Sequence, residues 1–225
     1  MRTKILSFIA ISCLLILTSC GYDNYDEPKS IFSGKVVYEG ETIGVRTNAV
    51  RLALFQDGYA FKSEIPAHIA QDGSFSVSLF NGEYKLVRVG GAPWEAPQND
   101  TILIRVKGNT VQDIPVTPYF TINNASFQKN GNKVVAKFTI KKIVEDAEIT
   151  SVSLYLGKSI LTDNSRNEGN ISLDLSNVSL NQEITAEISV PDGLAKADYV
   201  FARVGVQSNK ANEFCYTQVE KVELK

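Results

Sequence analysis

Histidine, tryptophan and methionine occur once each in this 225-residue chain, and cysteine three times. Each scarcity removes a class of chemistry. A Ser-His-Asp or Cys-His relay would have to be built on His68, which sits in EIPAHIAQ, on a strand or its edge and outside any catalytic motif. There is no glycine-rich phosphate loop and no EF-hand spacing. Acidic residues outnumber basic ones, 25 to 23, and no basic stripe is present, so nucleic acid is not an expected partner. Helix patterning is scarce as well. Val, Ile, Thr, Phe and Tyr recur with period two, which predicts an all-β chain.

The amino terminus is the most informative stretch. Arg2 and Lys4 precede the apolar run ILSFIAISCLLIL, Ile5 to Leu17. That is a positive n-region followed by an h-region. It falls short of the roughly 20 apolar residues that span a bilayer. Leu17-Thr18-Ser19-Cys20 resembles the bacterial lipobox. The resemblance implies removal of residues 1–19 as a lipoprotein signal peptide and acylation of Cys20. Several acyl chains anchor stably where one holds marginally. The alternative is a plain secretory signal that contains a cysteine. GYDNYDEPKS follows, with Asp23, Asp26 and Glu27 and little apolar content, so residues 20–29 read as a disordered acidic tether. It resembles the acidic patch behind the lipid cysteine of surface-exported Bacteroidota lipoproteins. The resemblance implies an outer-membrane, lipid-anchored, cell-surface position, with a periplasm-facing one as the alternative.

Cleavage leaves 206 residues with 21 basic and 25 acidic side chains, a net charge of −4. Cys13 departs with the signal and Cys20 carries lipid. Cys215 is then alone, and no intramolecular disulfide forms. One histidine and one thiol do not make a standard zinc site, and no metal or cofactor is expected.

Residues 30–117 read as one β-sandwich. IFSGKVVY (31–38) and VRLALF (50–55) are strands, the latter with Val50, Leu52 and Leu54 on one face. AQDGSFSVSLF (70–80) turns at Asp72-Gly73 and points Phe75, Val77 and Leu79 inward. Asn81-Gly82 predicts a tight hairpin into NGEYKLVRV, with Phe75 and Tyr84 as anchors across it. TILIRV (101–106) and TVQDIPV (110–116) complete the set. The G-x-V strand and the Asp72-Gly73-x-Phe75…Gly82-x-Tyr84 pattern resemble the carboxypeptidase-regulatory-like, transthyretin-like sandwich. That resemblance implies a fold and no activity.

Residues 118–225 read as a second sandwich. FTINNASFQKN and NKVVAKFTIKKI form a hairpin over Asn130-Gly131-Asn132, and ITSVSLYLG alternates Val152, Leu154 and Leu156. ISLDLS, EITAEISV, YVFARVGVQS and EFCYTQVEKVEL are further strands. Leu194, Tyr199, Arg203, Val204 and Tyr216 resemble the end of a fibronectin-III or immunoglobulin-like domain. The Leu-to-Tyr spacing is one residue short of the usual fibronectin form, and no Cys…Trp…Cys pattern occurs.

Two tandem β-sandwich domains behind a lipobox and CGYDNYDEP resemble a family of Bacteroidota lipoproteins usually encoded beside SusC/SusD-like glycan-uptake genes. "SGKVVYEGETIGVRTNAVRLALFQ", "DIPVTPYFTINNASF" and "YVFARVGVQS" carry the likeness. It implies a non-catalytic protein accessory to a SusC/SusD-like importer, with glycan and the importer proteins as partners and the membrane reached through Cys20. A structural or adhesive surface protein is the alternative. A hydrolase ranks last, for lack of a candidate nucleophile or base; two carboxylates meeting in one cleft would reopen it.

The candidate ligand site lies in GGAPWEAPQNDT (90–101). Trp94 in this Gly/Pro-rich loop is either an exposed platform for a sugar ring or a plug for the end of the sandwich. Asn99 and Asp100 either hydrogen-bond a ligand or make the turn. Asp100-Thr101-Ile102 matches an O-glycosylation acceptor motif at Thr101, and a strand start explains it equally. Glu145, Asp146 and Glu148 read as a solvated loop.

Overall fold

The structure is a computed structural model that describes residues 26–58 and 62–225. The signal peptide, Cys20 and the first half of the tether lie outside the described residues. The chain folds as two β-sandwiches in tandem.

The first sandwich closes two sheets over one core. One sheet is built on β1 (Ser30–Tyr38), which pairs antiparallel with β2 (Glu41–Thr42) and β5 (Ser74–Leu79). β8 (Thr110–Val111) and β9 (Ile114–Pro115) run parallel to it. The other sheet has the order β4 (Ile65–His68), β3 (Arg51–Phe55), β6 (Gly82–Arg88), β7 (Thr101–Val106). Alternation sets the inward faces: Phe32, Val36, Phe75 and Leu79 from one sheet meet Leu52, Leu54, Tyr84 and Leu86 from the other in a single buried cluster. Each such side chain, fully buried, stabilises by roughly 1.5–3 kcal/mol.

The expected hairpin at Asn81-Gly82 is not one. β5 pairs with β1, whereas β6 pairs with β3 and β7, so the chain crosses here from one sheet to the other. Phe75 and Tyr84 are both inward, but they enter the core from opposite sheets. Asn81 serves as a clasp instead of a turn residue. Its side-chain oxygen accepts from Ser30 Oγ at 2.7 Å and from Gly108 N at 2.7 Å. The Tyr84 hydroxyl donates to Phe80 O at 2.9 Å and fixes the crossover from the other side.

The second sandwich sets a three-stranded sheet, β10 (Phe120–Asn130), β11 (Lys133–Lys142) and β14 (Glu183–Ser189), against a second sheet. That sheet has the order β13 (Gly169–Ser172), β12 (Ile149–Gly157), β15 (Tyr199–Ser208), with β16 (Cys215–Tyr216) and β17 (Glu220–Glu223) both on the far edge of β15. Asn130 faces Lys133 across the expected hairpin, with Gly131 at φ +59° at its tip. Val152, Leu154 and Leu156 point into the core, as their alternation predicts. The opposite face of β12 is buried too: Tyr155 lies under Phe214 and Tyr216, at 6.5 and 6.1 Å between ring centroids. Period two reveals one buried face; the cover on the other comes from residues about 60 positions away. EFCYTQVEKVEL, read as one strand, is broken between β16 and β17, where Thr217 turns its carbonyl onto the Arg203 guanidinium.

Candidate functional site

The segment after β15 welds the two sandwiches. Asn212 N and Glu213 N both donate to Gly91 O, at 3.0 and 3.1 Å, and Tyr216 N donates to Gly44 O at 2.9 Å. Arg46 and Glu213 form a two-pronged ion pair of 3.1 and 2.5 Å. Cys215 inserts its side chain into the core of the first sandwich. Arg203, fully buried, donates from Nε to Thr217 O at 2.9 Å and from Nη2 to Gln71 O at 2.6 Å, with its guanidinium carbon 4.4 Å from the centre of the Tyr216 ring. Loss of water lowers its pKa to about 10. A second seam joins Tyr119 N to Pro93 O at 3.0 Å and Glu95 N to Thr117 O at 2.9 Å.

Burial also pushes the Cys215 thiol up to about 12. Its folded pKa exceeds its unfolded one. The protonated native thiol therefore favours the fold up to pH 9, and that contribution falls as pH rises from 9 toward 12. A version of the chain lacking Cys20 is expected to resist iodoacetamide at pH 8 until it unfolds, because only a thiolate exposed to solvent is alkylated. Rapid labelling of the native protein contradicts this.

Beside the first seam a cleft of about 170 Å³ opens. One wall is the β1–β2 turn with Tyr38, Glu39 and Glu41; the other is Thr121 and Asn123 of β10 with Lys141 of β11; Cys215 and Tyr216 line it as well. Two local irregularities shape it. Glu39 at φ +50° and Gly40 at φ +86° make the two-residue hairpin turn, and glutamate is a costly residue at left-handed φ. In β10 the register shifts between Asn123 and Ser126, with Asn124 at φ +53°. Such a bulge re-aims the neighbouring side chains. Glu41 and Lys141 enter no ion pair among the described residues. Burial, and then the Glu39 charge, raise the Tyr38 hydroxyl above its ordinary pKa, so it stays a proton donor. The cleft thus offers an aromatic ring, carboxylates, an amide, a hydroxyl and an ammonium group to one small ligand.

The structure separates the side chains of the sequence-predicted loop: Trp94 is buried, while Asn99 and Thr101 lie at the surface. Trp94 is 1% exposed and belongs to the core of the first sandwich, and its backbone bridges to Pro118. Of the two alternatives this is the plug, and a buried ring moves weight toward protein–protein contact: the seams pin the chain on both sides of Trp94, at Gly91, Pro93 and Glu95, and the ring closes the end of the sandwich. Asp100 is engaged by the Arg88 guanidinium, whose Nε also donates to Pro115 O at 2.9 Å. Asn99 makes the turn at φ +70°. Thr101 is exposed at the first position of β7. His68 ends edge strand β4, exposed, and Asp146 pairs with Lys210. Among the described residues no three His, Cys, Asp or Glu side chains gather where they could hold a metal.

Two tandem sandwiches fused along a seam, with a polar cleft beside it, define the class of protein. The chain belongs to the DUF3823 family: its N-terminal-domain model, a protein of unknown function, matches residues 30–117, and its C-terminal-domain model matches residues 120–221. Similar crystal structures are a DUF3823 protein of Bacteroides ovatus, 57% identical with a TM-score of 0.84, and one of Parabacteroides merdae, 33% identical with a TM-score of 0.80. A Bacteroides uniformis protein whose description proposes carbohydrate binding is 17% identical, with a TM-score of 0.72, a likeness of fold alone. Each alignment covers 88% of this chain and 100% of the other. Comparison with curated proteins finds no match.

Proposed function

We propose that this chain is a non-catalytic, lipid-anchored outer-membrane protein. It holds a carbohydrate in the cleft between its sandwiches and works beside a SusC/SusD-like importer. The observation that carries the reading is the cleft itself, where Glu41 and Lys141 have no ion-pair partner among the described residues and line the same cleft as Asn123, Thr121 and Tyr38. Sugar hydroxyls both donate and accept, so a ligand rich in them satisfies carboxylate, amide and ammonium together. At about 170 Å³ the cleft is smaller than the roughly 300–1,000 Å³ of drug-sized sites. It suits one unit of a glycan. The lipobox and acidic tether support a surface position, and the fold shared with a protein proposed to bind carbohydrate agrees.

Catalysis is not favoured. Glu39 and Glu41 line one cleft, but they come from the same turn and stand on the same wall. A glycosidase sets its carboxylates on either side of the bond, and here Lys141 and Asn123 occupy the facing wall. A structural or adhesive role is favoured by edge strand β7, which among the described residues pairs only with β6 and leaves Leu103 76% exposed. Such an edge can accept a neighbour's strand.

Calorimetric titration of the mature protein with surface and dietary glycans tests the binding. Glu41→Gln and Asn123→Ala are each expected to weaken a bound glycan by roughly tenfold, the loss of one charge-assisted or neutral hydrogen bond. Full affinity in both variants contradicts the site. Glu39→Asn is expected to stabilise the turn by about 1 kcal/mol while weakening the same glycan, measured by urea unfolding beside the titration. Recovery of a SusC/SusD-like pair with the tagged, lipidated protein from outer membranes tests the partnership, and elution of the protein alone argues against it.

A further inference from the structure

We propose that the outer face of β1 beside Ser30 rests on the lipid surface that holds Cys20, with Ile31, Phe80 and Val111 entering it. The proposal rests on the acylation of Cys20. These side chains are 42%, 46% and 77% exposed. Register brings them together. Ile31 pairs with Ser78 of β5, and Phe80 lies two residues on from Ser78, on the same face. On the other side of β1, Val111 pairs with Ser33, two residues on from Ile31 and again on the same face. The surround is polar: Ser33, Ser76 and Ser78 lie next to the patch, and exposed Lys35, whose N donates to Asp113 Oδ1 at 2.9 Å, borders it further along the strand. An apolar patch with a polar border suits a lipid surface, which demands no matching shape.

The placement follows from the tether. Residues 20–29 reach at most about 35 Å when extended, so Ser30 is held close to the bilayer. The clasp makes that exit firm: Asn81 accepts from Ser30 Oγ and Gly108 N, and Ile31 N donates to Asn109 Oδ1 at 3.2 Å. Seven residues separate Ile31 from Tyr38, about 23 Å along the strand. The patch therefore marks the end of the first sandwich away from the cleft. Seating the patch on lipid leaves the cleft about 23 Å along β1 from the contact.

The test uses the mature chain from Cys20, coupled through that thiol to a maleimide lipid in phosphatidylcholine vesicles carrying brominated acyl chains. Cys215 is buried, so coupling is confined to Cys20. Val111→Trp supplies the reporter, Ile160→Trp on the second sandwich the control, and buried Trp94 a constant background. Bromine is expected to quench the reporter at 111 about twofold and to leave the one at 160 unchanged, with Ile31→Ser and Phe80→Ser together abolishing the difference. No quenching at 111, or equal quenching at both positions, overturns the proposal. Mass spectrometry of the protein from cells tests the anchor separately. A Cys20 without acyl chains fails the anchor and the proposal with it, whereas acylated Cys20 with an unquenched reporter fails the patch alone.

Discussion

Replacing Trp94 with alanine is expected to lower stability by about 3–5 kcal/mol, the usual cost of emptying a buried aromatic site. The ring is 1% exposed in the core of the first sandwich, and its backbone bridges to Pro118 where the second begins. Truncation leaves a void that the rest of the cluster cannot fill without moving strands held in register. The midpoint of urea unfolding reports the loss. Glycan affinity of the folded fraction is expected to stay within about twofold of the parent, because Trp94 is not among the residues that line the cleft. A stable variant that no longer binds glycan would restore the loop as the ligand site and contradict the placement in the cleft.

Gly44→Val is the second large effect, and it acts on the weld. A β-carbon on Gly44 falls 2.6 Å from Tyr216 O and 3.0 Å from both Thr217 O and Arg203 Nη2. Two of those three atoms are backbone, so the strands must part. The cost is about 3 kcal/mol, in which the Tyr216 N to Gly44 O bond is lost. Opening the seam also uncovers Cys215. In a chain lacking Cys20, iodoacetamide is expected to label the valine variant under conditions where the parent is inert. An inert valine variant of parental stability shows that the seam does not depend on this close approach.

Much of the architecture is legible in the sequence. YVFARVGVQS is β15 residue for residue, and FTINNASFQKN is β10. Period two reports which side chains share a face, and that survives into the fold. It does not report which strand lies alongside. Asn81-Gly82 has the local chemistry of a hairpin, yet β5 finds its partner in β1, some 45 residues upstream. Pairing at that distance is decided by closure of the sandwich rather than by turn preference.

The site was less legible. Tyr38 and Glu41 stand about 80 residues from Thr121 and Asn123, and the two groups meet because the domains pack. No spacing in a single segment encodes that meeting. Two local signals were present. Glu39-Gly40 places a glutamate where a turn prefers asparagine or glycine, and Asn123-Asn124 puts poor strand formers inside a strand. Both mark backbone irregularities that border the cleft, and departures from local preference often lie near function. Trp94 misleads for the opposite reason: its Gly/Pro-rich surroundings look exposed, while hydrogen bonds from Tyr119, Asn212 and Glu213 to Pro93 and Gly91 fold them under.

The most direct measurement is an amide chemical-shift titration of the mature protein with the glycan that calorimetry selects. Binding in the cleft predicts saturable shifts at Tyr38, Glu41, Asn123 and Lys141, with Asn99, Asp100 and Thr101 unmoved. Shifts confined to residues 99–101, or no saturable shift with any glycan, contradict it.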